Sequence, residues 1–256
     1  MAVLLVCILS LVSFADENEY TLYVAGVQVT NDNLVIDSTD SAGVTNGSAT
    51  FDPENQTLLL DNFQYSGIGC KILSNYTVIY SETDALNIVV KGDNIIKPQM
   101  VDSTSAAIGI NPVNCTLTVR DYEGDGTLHI QSPNYGWGIN GAVAIDGASL
   151  FIENASYGLR YSISLNNGGS LKMKCLNAAF YSLSSITYKD GAENYNVSIG
   201  VNSYNENPLR DEYKTRTDLF YKPLYSETPN RYVLIEPLPP TPKDITVTTA
   251  TNGTLS

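Results

Sequence analysis

Positive charge is scarce in this sequence: 14 lysines and arginines stand against 27 acidic residues, for a net charge of −13. Nucleic-acid binding rests on clustered Lys and Arg that neutralise phosphates. No such cluster occurs, so no nucleic-acid partner is expected, and an anionic membrane surface is disfavoured for the same reason. Long apolar runs are missing too. Residues 2–12 form an apolar stretch too short for the roughly 20 residues of a transmembrane helix, and no later stretch approaches that length, so the mature chain is not expected to enter a membrane. Histidine occurs once and cysteine four times, without a Cys-x-x-Cys or a Cys/His cluster. That leaves a structural zinc site without ligands and is too sparse for a disulfide scaffold. Nucleophile-elbow, phosphate-loop and EF-hand patterns are likewise absent. No metal, no cofactor and no catalytic residue are therefore expected.

The apolar stretch is followed by Ser13-Phe14-Ala15, a small-x-small cleavage pattern, and then by Asp16-Glu17. Residues 1–15 read as a secretory signal peptide, with an extracellular or cell-surface destination, although its first residues carry no Lys or Arg. An apolar first strand is the alternative. Cleavage would remove Cys7 and leave Cys70, Cys115 and Cys175. These read as small buried apolar residues of strands. Whether two of them are bridged is left open, since that needs Cα atoms within about 7 Å.

What is present is a short phrase, used three times. Thr127-Leu128-His129-Ile130 returns as Ser149-Leu150-Phe151-Ile152 and as Ser170-Leu171-Lys172-Met173. A unit of about 22 residues is a repeat period of coiled architectures, in which each copy is too short to bury its own apolar face and must stack on its neighbours. Two further landmarks keep the period. Tyr135-Gly136-Trp137-Gly138 is matched with Tyr157-Gly158-Leu159-Arg160, and the turn Asp146-Gly147-Ala148-Ser149 with Asn167-Gly168-Gly169-Ser170. Towards the N-terminus the spacing loosens to about 30 residues, with Leu58, Leu86 and Leu117 as landmarks, as inserted loops would cause. Helical stripes with caps are almost absent, and the remaining apolar runs have strand lengths.

The expected fold is an all-β right-handed parallel β-helix with rungs of about 22 residues, some seven of them between Thr50 and Val201. The alternative is an antiparallel β-sandwich, which predicts frequent turns and no internal phrase. Residues 20–30 alternate as a strand and suit an N-terminal cap. Residues 48–51 and 56–63, around the turn Asp52-Pro53-Glu54-Asn55, read as a hairpin. The β-helix domain, with its caps, is expected over 16–236. Residues 237–243, opening with Pro237-Leu238-Pro239-Pro240, form a proline-rich linker, and 244–256 read as the truncated start of a β repeat module.

The segments Tyr20-Thr21-Leu22-Tyr23-Val24-Ala25-Gly26-Val27, Ala49-Thr50-Phe51-Asp52-Pro53, Thr57-Leu58-Leu59-Leu60-Asp61-Asn62, Leu86-Asn87-Ile88 with Gly92-Asp93-Asn94, and Leu117-Thr118-Val119 with Gly124-Asp125-Gly126 resemble bacterial secreted and surface β-helix proteins labelled carbohydrate-binding domain-containing. Residues 244–256 resemble the start of a divergent internalin-type B-repeat. The first resemblance implies a surface location and a glycan or polysaccharide partner.

The residues themselves add less. Asp121-Tyr122-Glu123-Gly124-Asp125 is the densest acidic cluster, and it reads as a solvated turn. His129 shares a slot with Phe151 and Lys172, which marks a variable outward position. Among 17 tyrosines, Tyr135, Trp137, Tyr157 and Tyr161 recur near the rung spacing and would lie on one face. Sugar rings stack on such aromatic planes, while amides take their hydroxyls. These four are the candidate ligand-binding residues of a non-catalytic, adhesive module. A polysaccharide lyase or glycoside hydrolase, and a structural stalk, are the alternatives.

Overall fold

Alternation decides the strands. In Thr127–Gln131, Ser149–Glu153 and Ser170–Lys174 the second and fourth residues are buried and their neighbours are not, the period of a strand with one face against a core. These strands pair in parallel in the register that the repeated phrase predicts. Leu128, Leu150 and Leu171 lie side by side, and so do Ile130, Ile152 and Met173.

The computed structural model describes residues 19–102, 104–201, 207–221 and 229–239. Over them the chain is all-β, with long and mostly parallel sheets, which rules out the antiparallel sandwich. The expected signal segment 1–15 and the expected module 244–256 lie outside the described residues, as does the expected linker beyond Pro239.

Three parallel ladders carry the architecture. The first joins Asn75–Ser81, Ala107–Pro112, Trp137–Ile139, Tyr157–Leu159 and Ala178–Phe180. The second joins the start of Thr57–Gly67 to Leu86–Lys91, Thr116–Asp121, Ala142–Asp146, Ile163–Asn166 and Ile186–Tyr188. The third starts from the end of Thr57–Gly67 and continues through Asp93–Pro98 to the three phrase strands. From Asn75 onward the chain visits the ladders in rotation, so each circuit lies on the previous one at the roughly 4.8 Å strand spacing. Circuits shorten along the chain: Asp93 to Thr127 spans 34 residues, Ser149 to Ser170 only 21. The second ladder is six strands deep, not seven.

Like residues stack on like. Leu86, Leu117, Val143 and Ile163 form one buried column, and Ile88, Val119, Ile145 and Leu165 another. Each such side chain contributes about 1.5–3 kcal/mol by leaving water, and the columns merge into one continuous core. Leu58 departs from its expected place. It pairs with Ile88, two residues beyond Leu86, because Thr57–Gly67 enters from a hairpin rather than from a preceding circuit.

Antiparallel strands close both ends, where parallel ladders would otherwise expose unpaired edges. Residues 20–30 are not one strand but a hairpin, Glu19–Val24 and Val27–Thr30, turning at Ala25 and Gly26 with φ of 55° and 86°. Its first strand runs antiparallel to Asn75–Ser81 and so caps the first ladder, as a cap there requires. The expected hairpin around residues 52–55 is present, Val44–Asp52 against Thr57–Gly67. At the other end Tyr232–Pro237 covers Ser170–Lys174, and Tyr195–Gly200 lies beyond it. A short helix, Thr217–Tyr221, sets Phe220 edge-on against Phe180 at 5.9 Å. No helix among the described residues is long and apolar enough to cross a membrane.

Candidate functional site

The first ladder is thin, and glycine makes it so. Gly109, Gly138 and Gly158 occupy one column. A Cβ at Gly138 would lie 2.5 Å from Cγ2 of Ile152, and one at Gly158 would lie 2.6 Å from Sδ of Met173. Both neighbours belong to the buried face of the third ladder, so the glycine column faces inward. Of the two columns flanking it, Ile110, Ile139 and Leu159 are core residues, while the other is covered at its ends but half-exposed at its centre, where Trp137 and Tyr157 stand. That column is Ile108, Trp137, Tyr157 and Ala178.

The rings of Trp137 and Tyr157 lie 4.8 Å apart at 38°. Ala178 has no ring, and Tyr181 from the same circuit stands edge-on to both, 5.1 Å from Trp137 and 4.9 Å from Tyr157. Such offset and edge-on geometries are the favoured aromatic arrangements. Trp137 and Tyr157 are half-buried and Tyr181 is exposed, so the cluster leaves ring surface open to solvent.

A polar column runs beside it. Arg160 donates from Nη1 to Oδ1 of Asn140 at 3.2 Å, and Asn140 donates from Nδ2 to Oδ1 of Asn111 at 3.1 Å. The guanidinium lies 5.9 Å from the centre of the Trp137 ring, 5.7 Å from Tyr181 and 4.7 Å from Tyr161. A groove of about 510 Å³ opens here, lined among others by Asn111, Pro112, Asn140, Arg160 and Tyr161. The aromatic and polar columns thus converge on one face.

Of the four candidate residues, Trp137 and Tyr157 meet directly, and Tyr161 joins them through Arg160. Tyr135 does not. The expected alignment of Tyr135 with Tyr157 is two residues out, since it is Trp137 that pairs with Tyr157. Tyr135 sits at the preceding corner, exposed, with its N–H donating to Oγ of Ser156 at 2.8 Å. Both Tyr135 and Tyr161 have left-handed backbone, with φ of 68° and 71°, which is uncommon for bulky residues. Sequence reasoning missed Tyr181, Arg160, Asn140 and Asn111 as one group. The signal existed in a different phrase: Gly109-Ile110-Asn111, Gly138-Ile139-Asn140 and Gly158-Leu159-Arg160. Anchoring on Tyr-Gly, and not on Gly-apolar-polar, misplaced the register.

Asp121 uses Oδ1 to accept the N–H of Gly126 at 2.7 Å, while residues 122–125 are exposed at the turn tip. No group of three His, Cys, Asp or Glu residues able to hold a metal occurs among the described residues. Cys70, Cys115 and Cys175 are free thiols, but only Cys70 lies within a strand, and Cys115 is half-buried at the bend before Thr116, so the expectation of three buried strand residues holds only in part. Burial pushes Cys70 up to about 11, so it stays a protonated, inert thiol at neutral pH.

His129 does share its slot with Phe151 and Lys172. It is only half-exposed, however: its ring stacks on Phe151 at 4.3 Å and 15°, and Nε2 lies 3.0 Å from Oε1 of Glu153. That contact is electrostatic, since the geometry of a hydrogen bond is not met. Burial disfavours the imidazolium more strongly than Glu153 favours it, so His129 titrates below its ordinary value of 6.5. The folded state then binds fewer protons than the unfolded one as pH falls through that value, and stability must decline there. Melting temperatures from pH 7.5 to 5 are expected to fall in the native chain and to fall less in His129→Phe. Parallel curves for the two chains would refute this.

No protein-family model, no curated protein and no solved structure matches the chain.

Proposed function

We propose that the three-ladder coil is a right-handed parallel β-helix, displayed outside the cell, that binds carbohydrate through the face of its first ladder without transforming it. The observation that carries this reading is the convergence of the Trp137–Tyr157–Tyr181 rings with the Asn111–Asn140–Arg160 column beside one open groove. A saccharide presents apolar C–H faces and a rim of hydroxyls, so it needs flat rings and planar hydrogen-bonding groups side by side. Extracellular location and the β-helix description rest further on the leader pattern and the 22-residue phrase. Among the described residues no carboxylate lines the groove, whereas glycosidic cleavage by acid and base needs two flanking the bond. That favours binding over hydrolysis.

Trp137 is the only tryptophan of the chain, so tryptophan emission, excited at a wavelength that tyrosine does not absorb, reports on this face alone. Glycans found on an array should shift or quench its emission on titration. Trp137→Tyr provides a folded comparison, and Trp137→Ala should weaken binding by about 2 kcal/mol, or about thirtyfold, as truncation of a central aromatic anchor does. Tyr135→Ala, outside the ring cluster, should stay within about twofold. A blank array, or a bound glycan that leaves the emission unchanged, would remove the carbohydrate reading. Release of reducing ends or unsaturated sugars would replace it with an enzymatic one.

A further inference from the structure

Arg160 is placed unusually for an acidic protein. Ion pairs among the described residues include Lys91–Asp61, Arg120–Asp146, His129–Glu153 and Arg210–Glu212; Arg160 has no carboxylate partner among the described residues, although the chain holds 27 acidic residues. It is half-buried, and its Nε is enclosed without a hydrogen-bond partner, an arrangement that costs free energy. Three aromatic rings and one amide nonetheless fix the guanidinium at the edge of the groove. Its Nη2 donates to no described residue. The position is thus poor for local stability and well suited to an anion arriving from the groove. Arginine's planar fork matches a carboxylate by two parallel hydrogen bonds, and its surroundings here hold that plane still.

We infer that the groove takes a saccharide bearing a carboxylate, with Arg160 as its anchor, Asn111 and Asn140 taking hydroxyls, and the Trp137–Tyr157 pair under the sugar ring. This specifies the ligand class of the proposed carbohydrate site and rests on that reading. The net charge of −13 repels a long polyanion at a distance. An isolated or terminal acidic sugar is therefore the fitting ligand, met by one compensating cation.

The test is a panel of neutral disaccharides, each paired with its 6-carboxylate and 6-sulfate analogues, titrated against the full chain with Trp137 emission and calorimetry as readouts. The carboxylate form should bind at least about tenfold more tightly than its neutral parent. Arg160→Gln should reduce that preference to within about twofold while neutral sugars still bind, which also shows that the variant is folded. Arg160→Lys, which keeps the charge but not the fork, should lose discrimination between carboxylate and sulfate. Equal binding of neutral and acidic sugars overturns the inference and leaves the carbohydrate reading standing. Sulfate bound as tightly as carboxylate by the native chain overturns the carboxylate assignment. Binding of no sugar overturns both.

Discussion

Asn94→Leu should destabilise the fold by about 2–3 kcal/mol, because it leaves the buried N–H of Phe63 without a partner and removes the donor shared by three carbonyls, at about 1–3 kcal/mol for an unpaired buried group. Asn94 has no exposed surface. Its Oδ1 accepts the N–H of Phe63 at 2.8 Å, and its Nδ2 reaches the carbonyls of Lys91, Gly92 and Thr127 at 3.1–3.2 Å. One side chain therefore ties three consecutive layers at the corner between the second and third ladders. Leucine has similar volume and can refill the space, but it can satisfy none of these groups. For a domain of this size the midpoint should drop by about 2–4 °C per kcal/mol. Gln99→Leu, which removes an exposed hydrogen bond to Ser66, serves as control and should stay within about 0.5 kcal/mol. Denaturant unfolding that places both variants within that margin would show that the corner does not depend on Asn94.

Gly138→Val is the second large effect, and its cause is space. The glycine carries no positive φ; what it supplies is close approach. An added Cβ meets Ile152 Cγ2 at 2.5 Å and the carbonyl oxygen of Gly158 at 2.6 Å. The isoleucine can rotate, but the carbonyl belongs to the parallel pairing of the next circuit and cannot move without breaking register. Overpacking of this kind costs about 1–3 kcal/mol, and valine's branches place it at the upper end, with Gly138→Ala below it. The same substitution should disturb the outward column, since Trp137 is its neighbour in the strand. Loss of stability together with a changed Trp137 emission is the expected pair of results. Valine tolerated with unchanged melting and emission would mean that the first ladder is not held thin by glycine.

The two substitutions sit on opposite sides of what can be read from residues alone. The three phrase strands of the third ladder were legible: the phrase at Thr127, Ser149 and Ser170 predicts their register residue for residue. Apolar identity repeats there because each inward side chain packs on its equivalent one layer away. The matching turns at Gly147 and Gly168 were legible for the same reason, with φ of 75° and 73°. Asn94 was not legible as a core residue. Gly92-Asp93-Asn94 has the composition of any surface turn, and only the three layers meeting around the amide reveal why a polar residue is buried there.

The outward face was legible only in part. Trp137, Tyr157 and Tyr161 could be picked out as aromatic residues near the rung spacing, but their alignment could not. Outward positions are not constrained by packing to repeat a residue type, so Tyr135 offered a false landmark two residues from the true one. Arg160 and Tyr181 do follow Asn111 and Asn140 at circuit spacing, but the residue type changes from amide to guanidinium to phenol, so no repeated phrase marks the slot.

The sequence by itself determined an all-β chain of stacked short strands, the spacing of its later circuits and the register of the three phrase strands, because inward side chains must repeat for layers to stack. Tertiary structure alone decided which antiparallel strands close the ends, that Asn94 clamps three layers, and that a guanidinium without a counter-ion stands beside three rings. Those features depend on distances between residues far apart in the chain, and no local pattern encodes such distances.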